Sequence, residues 1–327
     1  MNALYRKVLS FIQENNLISS GDRILVACSG GPDSVFLLHF LSTLSEEKKI
    51  KLQVAYVHHH LRPEADKELE FVQNLAREKE IPFSCWHLSL ERKSSLEAKA
   101  RLARYSCLAK IAKRKRCHLI ATGHNLDDQA ETVLMRILRG CGITGLRGIQ
   151  PYVACLPGCD VPVIRPLLVL TKQEIENFLL QHRLTFLKDS SNLNPDFFRN
   201  RIRHQILPYL ENFNPHLKKH LARIATLVRD DLEILTSQAQ QAKIKLCHSC
   251  QKGYFFDRKS FLQLPVAIQR LLISCLCQEI RGTPYQNYYP VENIRLLIQK
   301  GKPGKTPVKA GLKLQVAKET IVLGKSK

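Results

Sequence analysis

The chain has 327 residues, enough for one sizeable core and a smaller second unit. Its 50 Lys and Arg stand against 29 Asp and Glu, a formal net charge of +21. An excess of that size repels itself, and a polyanion such as RNA, DNA or an anionic membrane surface offsets it. No stretch approaches the roughly twenty apolar residues of a membrane span. Residues 1–18 carry Arg6, Lys7 and Glu14 in an amphipathic pattern, unlike the apolar core of a signal peptide. A cytoplasmic protein is expected, with no membrane association and no obligatory protein partner evident. Most of the eleven cysteines sit inside apolar runs, as Cys28, Cys107, Cys117, Cys275 and Cys277 do, which suits buried, reduced thiols. Cys247 and Cys250 have the two-residue spacing of half a zinc or redox site and Cys155 with Cys159 is a looser pair, but a structural zinc needs both pairs, or one pair with histidines, to meet in space. No metal is assigned to them.

In chain order, apolar runs at 24–28, 52–57, 83–88 and 118–122 predict strands. Helical patterns lie between them at 34–45, 64–80 and 94–115, and another follows at 126–139. Strands alternating with helices at this spacing predict right-handed βαβ units and a parallel sheet sandwiched by helices, an α/β fold. Residues 140–166 are rich in Gly, Pro and Cys and read as loop with short strands. A helix is expected over 172–182, begun by Thr171 as its cap. The alternation stops near 212–215, so the division is placed at residue 215: a catalytic domain over 1–215 and a smaller one over 216–327. The second is expected to be mainly helical, with one or two helices over 216–246, a glycine- and lysine-rich loop at 300–306, and a closing hairpin over 312–323.

Ligands of parallel sheets bind beyond the carboxyl ends of the strands. There, after the first strand, stands Ser29-Gly30-Gly31-Pro32-Asp33-Ser34. Two adjacent glycines permit positive φ and a close approach of backbone to ligand. The turn's amides and the first N–H groups of the following helix then form a nest for phosphate. Asp33 would repel a bare polyphosphate, and a bridging Mg²⁺ removes that conflict. The pattern lacks the Lys and spacing of a Walker loop and is not the G-x-G-x-x-G dinucleotide fingerprint. The plain alternative is a tight turn in which Ser34 caps the helix.

The segment from Thr122 through His124, Asn125, Asp127, Asp128 and Glu131 to Thr132 also follows a strand end. On a helix beginning near Asn125, Asp128 and Glu131 are three apart and share a face with His124 at its mouth, while Asp127 points elsewhere. Acidic residues in a first helical turn also suit the helix dipole. Glu97, Arg101 and Arg104 fall on one helix face, where an intrahelical Glu–Arg pair is the alternative to a functional part. Arg199 and Arg203 share a face and Arg201 lies off it. These three arginines read as phosphate grips or as a solvated basic face.

Taken together, these segments resemble the PP-loop ATP pyrophosphatases, whose signature is Ser-Gly-Gly-x-Asp-Ser after a strand. Within that group they are similar to the tRNA(Ile)-lysidine synthases. The likeness runs through His58-His59-His60-Leu61-Arg62, residues 96–105, 122–148, 163–167, and 189–192 to 198–204, in order, over roughly residues 20 to 215. It implies cleavage of ATP between the α and β phosphates, adenylation of the cytosine C2 oxygen, and attack of the L-lysine ε-amine at C2 with loss of AMP. The target would be the first anticodon cytidine of an isoleucine tRNA with a CAU anticodon, whose reading changes from AUG to AUA and whose identity changes from methionine to isoleucine. By the resemblance, Ser29, Gly30, Gly31, Pro32, Asp33, Ser34, His60 and Arg62 bind ATP, with Asp33 as the Mg²⁺ ligand. Asp33, His124 and Asp128 are catalytic, Asp128 as a base for the lysine amine or as a second Mg²⁺ ligand. Glu131 and Asp127 bind lysine, and Arg101, Arg104, Arg199, Arg201 and Arg203 contact tRNA or phosphate. Longer members carry a further C-terminal domain, so this chain resembles a shorter type, and from charge alone the basic helices after 215 and the lysine-rich tail are the candidates for holding the tRNA body. A sulfur transferase of the same superfamily would want a cysteine pair near these loops, where Cys141 stands alone. A basic RNA-binding protein with a decayed nucleotide site would not be expected to keep Asp33, Asp127, Asp128 and Glu131.

Overall fold

The computed structural model describes residues 3–58, 65–88, 96–187, 198–251, 253–282, 288–308 and 311–326, with residues 96–99 described by backbone alone. The chain forms two compact units, Met1–Glu131 with Ile149–Lys219, and Thr132–Gly148 with His220–Lys327. The sequence-based division at 215 counts 132–148 with the first half, whereas in the structure this segment belongs to the second unit.

In the first unit, α1 (Ala3–Glu14), β1 (Arg23–Ala27), α2 (Pro32–Lys48), β2 (Lys51–His58), α3 (Ala65–Glu78), β3 (Phe83–His87), α4 (Leu96–Arg114) and β4 (Leu119–Ala121) alternate as the apolar runs predict. They are followed by α5 (Leu126–Leu138), which passes into the second unit with α6 (Ile143–Leu146), and then by β5 (Tyr152–Val153), β6 (Val163–Ile164) and α7 (Lys172–Gln181). The sheet order is β3-β2-β1-β4-β6-β5, parallel except for the short antiparallel β5. Alternate strand residues feed two apolar layers. Ile24, Val26, Val54, Tyr56 and Ile164 pack with α1, α2, α3 and α7, and Leu25, Ala55, Val57, Ile120 and Val163 pack with α4. Burial on both faces explains why the strands read as continuous apolar runs. On the first layer Tyr5 stacks on Phe178 (5.5 Å) and Phe36 meets Phe178 edge-on (5.0 Å).

The chain leaves β1 toward β2 on one side, and its other neighbour is β4. This reversal opens a crevice at the carboxyl ends of β1 and β4. Toward the end of the unit, α8 (Phe198–Arg201), a single π turn (Ile202–Ile206) and α9 (Leu207–Glu211) form one rod. The Leu207 N–H reaches back to the Ile202 carbonyl, and Pro208, with no N–H, cannot restore the α-helical ladder there.

The long α10 (Leu217–Leu246) is one helix, and its residues from His220 onward belong to the second unit. That unit holds β7 (Cys247–Cys250), β8 (Gly253–Asp257), α11 (Arg258–Gln263), α12 (Val266–Arg281), α13 (Tyr288–Lys300), β9 (Gly304–Val308), β10 (Leu312–Val316) and β11 (Thr320–Lys325). The closing hairpin expected at 312–323 is present as β10–β11, but within a five-stranded antiparallel sheet of order β7-β8-β11-β10-β9. The loop expected at 300–306 runs into β9, where Pro307 is tolerated because β9 is an edge. Phe256, Leu272, Leu276, Ile294, Leu314 and Leu323 form its core. Among the described residues no helix is long and apolar enough to cross a membrane.

α7 begins with a complete capping box. The Thr171 hydroxyl accepts from Glu174 N (3.1 Å), and the Glu174 carboxylate accepts from Thr171 N (2.6 Å). Replacing Thr171 by Ala is expected to lower stability by about 1 kcal/mol, read as a lower urea midpoint, while Thr171→Ser stays close to the parent.

Candidate active site

The crevice of the first unit holds a cavity of about 590 Å³, bounded by residues 28–34, the start of α5, one face of α4, and the α8–π rod. Its floor is the predicted phosphate turn. Gly30 takes φ +83 and Gly31 is the extended N-cap of α2, with Pro32 in the first helical turn. No side chain caps this helix, so the plain reading of Ser34 as a cap does not hold. Its hydroxyl instead accepts from Ser29 N (3.1 Å) and donates to the Gly31 carbonyl (2.9 Å), bracing the turn across its open side. From the other side the Leu187 N–H donates to the Gly30 carbonyl at 2.9 Å.

Asp33 lies next to the start of α5. Asn125, 3% exposed, donates from Nδ2 to Asp33 Oδ1 at 2.9 Å. The same Asn125 caps α5. Its Oδ1 accepts from Asp128 N (3.0 Å), and its own N–H donates to Asp128 Oδ2 (3.1 Å). This reciprocal box has Asp in the place usually held by Glu. One buried residue therefore holds both carboxylates, Asp33 through its side-chain amide and Asp128 through its backbone N–H. Burial raises the Asp33 pKa to about 7, the Asn125 hydrogen bond opposes the rise, and the nearby Asp128 adds to it.

Asp128 and Glu131 share the face expected of them, and Arg199 and Arg203 close over it. Arg199 donates to Asp128 Oδ1 (2.7 Å) and Glu131 Oε2 (2.8 Å), and Arg203 donates to Glu131 Oε1 (2.5 Å) and Oε2 (3.0 Å). Burial pushes the Asp128 pKa up, against the pull of the Arg199 guanidinium. Burial also works against the charge on Arg199, but the two carboxylates more than offset it and hold its pKa above the usual value. Arg199 and Arg203, four residues apart, face the same pair, as their spacing predicts. Arg201 turns away and lies 5.5 Å over the Phe198 ring.

The two carboxylates expected to bind lysine are both engaged by groups of the protein. Glu131 is 1% exposed with both oxygens taken by arginines, and Asp127 accepts from the first amide of α7, Lys172 N (2.8 Å), and pairs with Lys218 (3.0 Å). Neither lines the cavity. Each is neutralised from within the protein, which is what buried carboxylates require.

His124 does line it. Burial, and then the guanidinium groups of Arg165, Arg101, Arg104 and Arg199, keep its pKa well below the usual histidine value. A neutral ring results. Nδ1 lies 2.9 Å from the Thr122 hydroxyl. Arg101 and Arg104 border the cavity and rest on the Tyr105 ring at 5.4 and 5.8 Å. The side chain of Glu97, with His60, Arg62 and the 189–192 segment, lies outside the described residues. Sequence reasoning missed Asn125, whose signal was the Asn-x-x-Asp spacing at a helix start, and Gly123.

Gly123 has no room for a side chain. A Cβ there would stand 3.0 Å from the Asp33 carbonyl carbon and 3.1 Å from Ser34 N. Gly123→Ala is expected to shift the phosphate turn and weaken ATP binding tenfold or more by calorimetry, on the order of an overpacked core site. Gly21→Ala, strained at φ +84 with nothing within 4 Å, should lose stability with ATP affinity unchanged.

Comparison with known proteins extends the geometry. Residues 2–210 match the family described as the PP-loop domain. The tRNA(Ile)-lysidine synthase of Symbiobacterium thermophilum is 38% identical over 298 residues, which is 86% of this chain and 60% of that protein. That of Geobacter sulfurreducens is 39% identical over 248 residues, 74% of this chain and 51% of that protein. The Clostridioides difficile enzyme of the same name is 33% identical over 311 residues, 92% and 66% respectively. The chain thus spans about 60% of the length of the first of these relatives. Among solved structures, a U34-tRNA thiolase from Methanococcus maripaludis, described with its iron–sulfur cluster, superposes with a TM-score of 0.58 over 69% of this chain and 78% of that one. At 19% identity that likeness concerns the fold. With the phosphate turn at the end of β1 and the matching family covering residues 2–210, the chain belongs to the PP-loop family.

Proposed function

We propose that the chain ligates L-lysine to C2 of the first anticodon cytidine of an isoleucine tRNA bearing CAU, consuming ATP and releasing AMP and pyrophosphate. The observation that carries this reading is one cavity that joins the 29–34 turn to Asp128 and His124 through Asn125, in a chain 33–39% identical to three proteins named for lysidine synthesis.

The amides of residues 29–34 hold the ATP phosphates. Asp33 suits Mg²⁺. It is an oxygen donor in a buried phosphate site, one oxygen is held by Asn125, and its raised pKa marks a carboxylate short of counter-charge. Bound there, Mg²⁺ would screen the polyphosphate from the carboxylate. His124, neutral and anchored on Thr122, offers Nε2 as a hydrogen-bond partner to the cytosine edge. Arg101 and Arg104 meet the negative charge of nucleotide or RNA phosphate.

The lysine ε-amine attacks only when neutral, and Asp128, its pKa raised by burial, accepts the proton. Glu131 works through Arg199 and Arg203, holding them where they fix Asp128, instead of touching lysine. Asp127 steadies the start of α7. Residues 1–215 thus carry the chemistry, and residues 216–327, with their basic helix and lysine-rich tail, contact the tRNA body.

Incubation with ATP, labelled lysine and purified tRNAs tests the reading. Lysine transfer to isoleucine tRNA with CAU, and not to methionine tRNA with the same anticodon, is expected. AMP formation that instead responds to a sulfur donor overturns it. Asp128→Asn is expected to lower kcat about 10²- to 10⁴-fold with ATP affinity kept, and normal lysidine formation by that variant removes Asp128 as the base.

A further inference from the structure

The rod of α8, π turn and α9 has two faces, and only the inner one is used by the reaction proposed above. Its inner side buries Ile202 (0% exposed) and Leu207 (1%) and sends Arg199 and Arg203 onto Asp128 and Glu131. Arg201, Gln205 and Tyr209 on this rod are exposed, as is Phe213 in the turn that follows α9. Tyr209 is 62% and Phe213 74% exposed. Two large rings side by side at such exposure are unlike the scattered single apolar residues of an ordinary surface. They meet edge to face, 5.4 Å apart at 70°, an arrangement that leaves ring faces open.

The charge around them selects the occupant. Residues 198–219 contain five Lys and Arg and a single acid, Glu211, which is itself paired with Lys218 at 3.2 Å. In sequence Arg201, already laid over Phe198, precedes the two rings and Lys219 follows them, both exposed. Cations flanking open aromatic faces, with no unpaired acid, form the pattern that takes unpaired nucleotides, bases on the rings and phosphates on the cations. We infer that the outer face of this rod, Arg201 with Tyr209 and Phe213, is a stacking platform for a single-stranded segment of the RNA substrate. The inference rests on the tRNA reading above and names the surface by which the first unit itself holds unpaired RNA. The rod that fixes Asp128 from inside is then also the element that RNA touches from outside.

The test measures binding of the full chain to a fluorescent RNA hairpin with a CAU loop and to a fully paired duplex of the same stem. The double variant Y209A/F213A is expected to bind the hairpin about tenfold or more weakly, with duplex binding and ATP binding unchanged. Y209F should bind like the parent. R201Q should weaken both RNAs and lower the salt slope by about one. Equal hairpin affinity for parent and double variant overturns the platform, as does an equal loss on hairpin and duplex. A concentration-dependent mass in sedimentation that the double variant abolishes, with hairpin binding unaltered, assigns the patch to a second copy of the chain and likewise overturns it. If the parent chain binds neither RNA, the tRNA reading itself falls. If the parent binds and modifies RNA as the double variant does, only the platform falls.

Discussion

Carboxylates withdrawn from water at the end of a parallel sheet are the constraint on which this site depends. Removing a carboxylate from solvent is costly unless hydrogen bonds or opposite charge replace the lost hydration. The protein answers that cost differently at each acid. Glu131 receives two guanidinium groups, Asp127 receives a helix amide and Lys218, and Asp128 receives Arg199 together with the backbone of its own capping box. Asp33 receives a hydrogen bond from a neutral amide, that of Asn125, and a weaker pull from the Lys172 cation. Burial still raises its pKa to about 7, and it is the acid that faces the phosphate turn. In the proposed reaction this carboxylate is the one placed to share a cation with a ligand.

The same accounting orders the cations. Arg199 and Arg203 are spoken for by protein carboxylates. Burial pushes the Arg104 pKa down, the neighbouring Arg101 and Arg199 add to that push, and Tyr105 and the Asp128 carboxylate oppose it. The cavity is therefore lined both by Asp33, whose pKa burial raises, and by guanidinium groups that burial disfavours as cations. In the proposed reaction a metal-chelated polyphosphate would meet both kinds of group.

The fold was legible because its signals are local. β1 and β2 are unbroken apolar runs, α7 carries its capping pair three residues apart, and the phosphate turn sits between a strand and a proline-led helix. The second unit was legible only where strands alternate cleanly, as in β10 with its buried-exposed pattern. β7 is the four polar residues Cys247 to Cys250, and β9 carries a proline, so neither announces a strand. In the site, Asp128, His124 and the pairing of Arg199 with Arg203 on one side were readable from spacing. What the arginines point at was not, because their partners lie 68 to 75 residues away in sequence and no periodicity encodes that. The inward turn of Glu131 escaped for the same reason. A sequence shows a charged face, but not whether solvent or a countercharge meets it.

The π turn at 202–206 ties these points together. In a regular helix the residues of Arg199-Asn200-Arg201-Ile202-Arg203 progress by about 100° each, so a slip of the ladder changes where later residues face. Here the slip is held by a buried Ile202, by the Leu207 N–H on its carbonyl, and by Pro208, which supplies no donor. All three are indifferent to charge. Apolar burial and a missing N–H thus hold the π turn in the rod that carries the two arginines to Asp128 and Glu131. The same short rod presents charge inward and leaves Tyr209 outward, with Phe213 beside it. The outward rings gain nothing from burial in the chain itself, so their exposure is a stability cost the fold bears for a reason outside its own core.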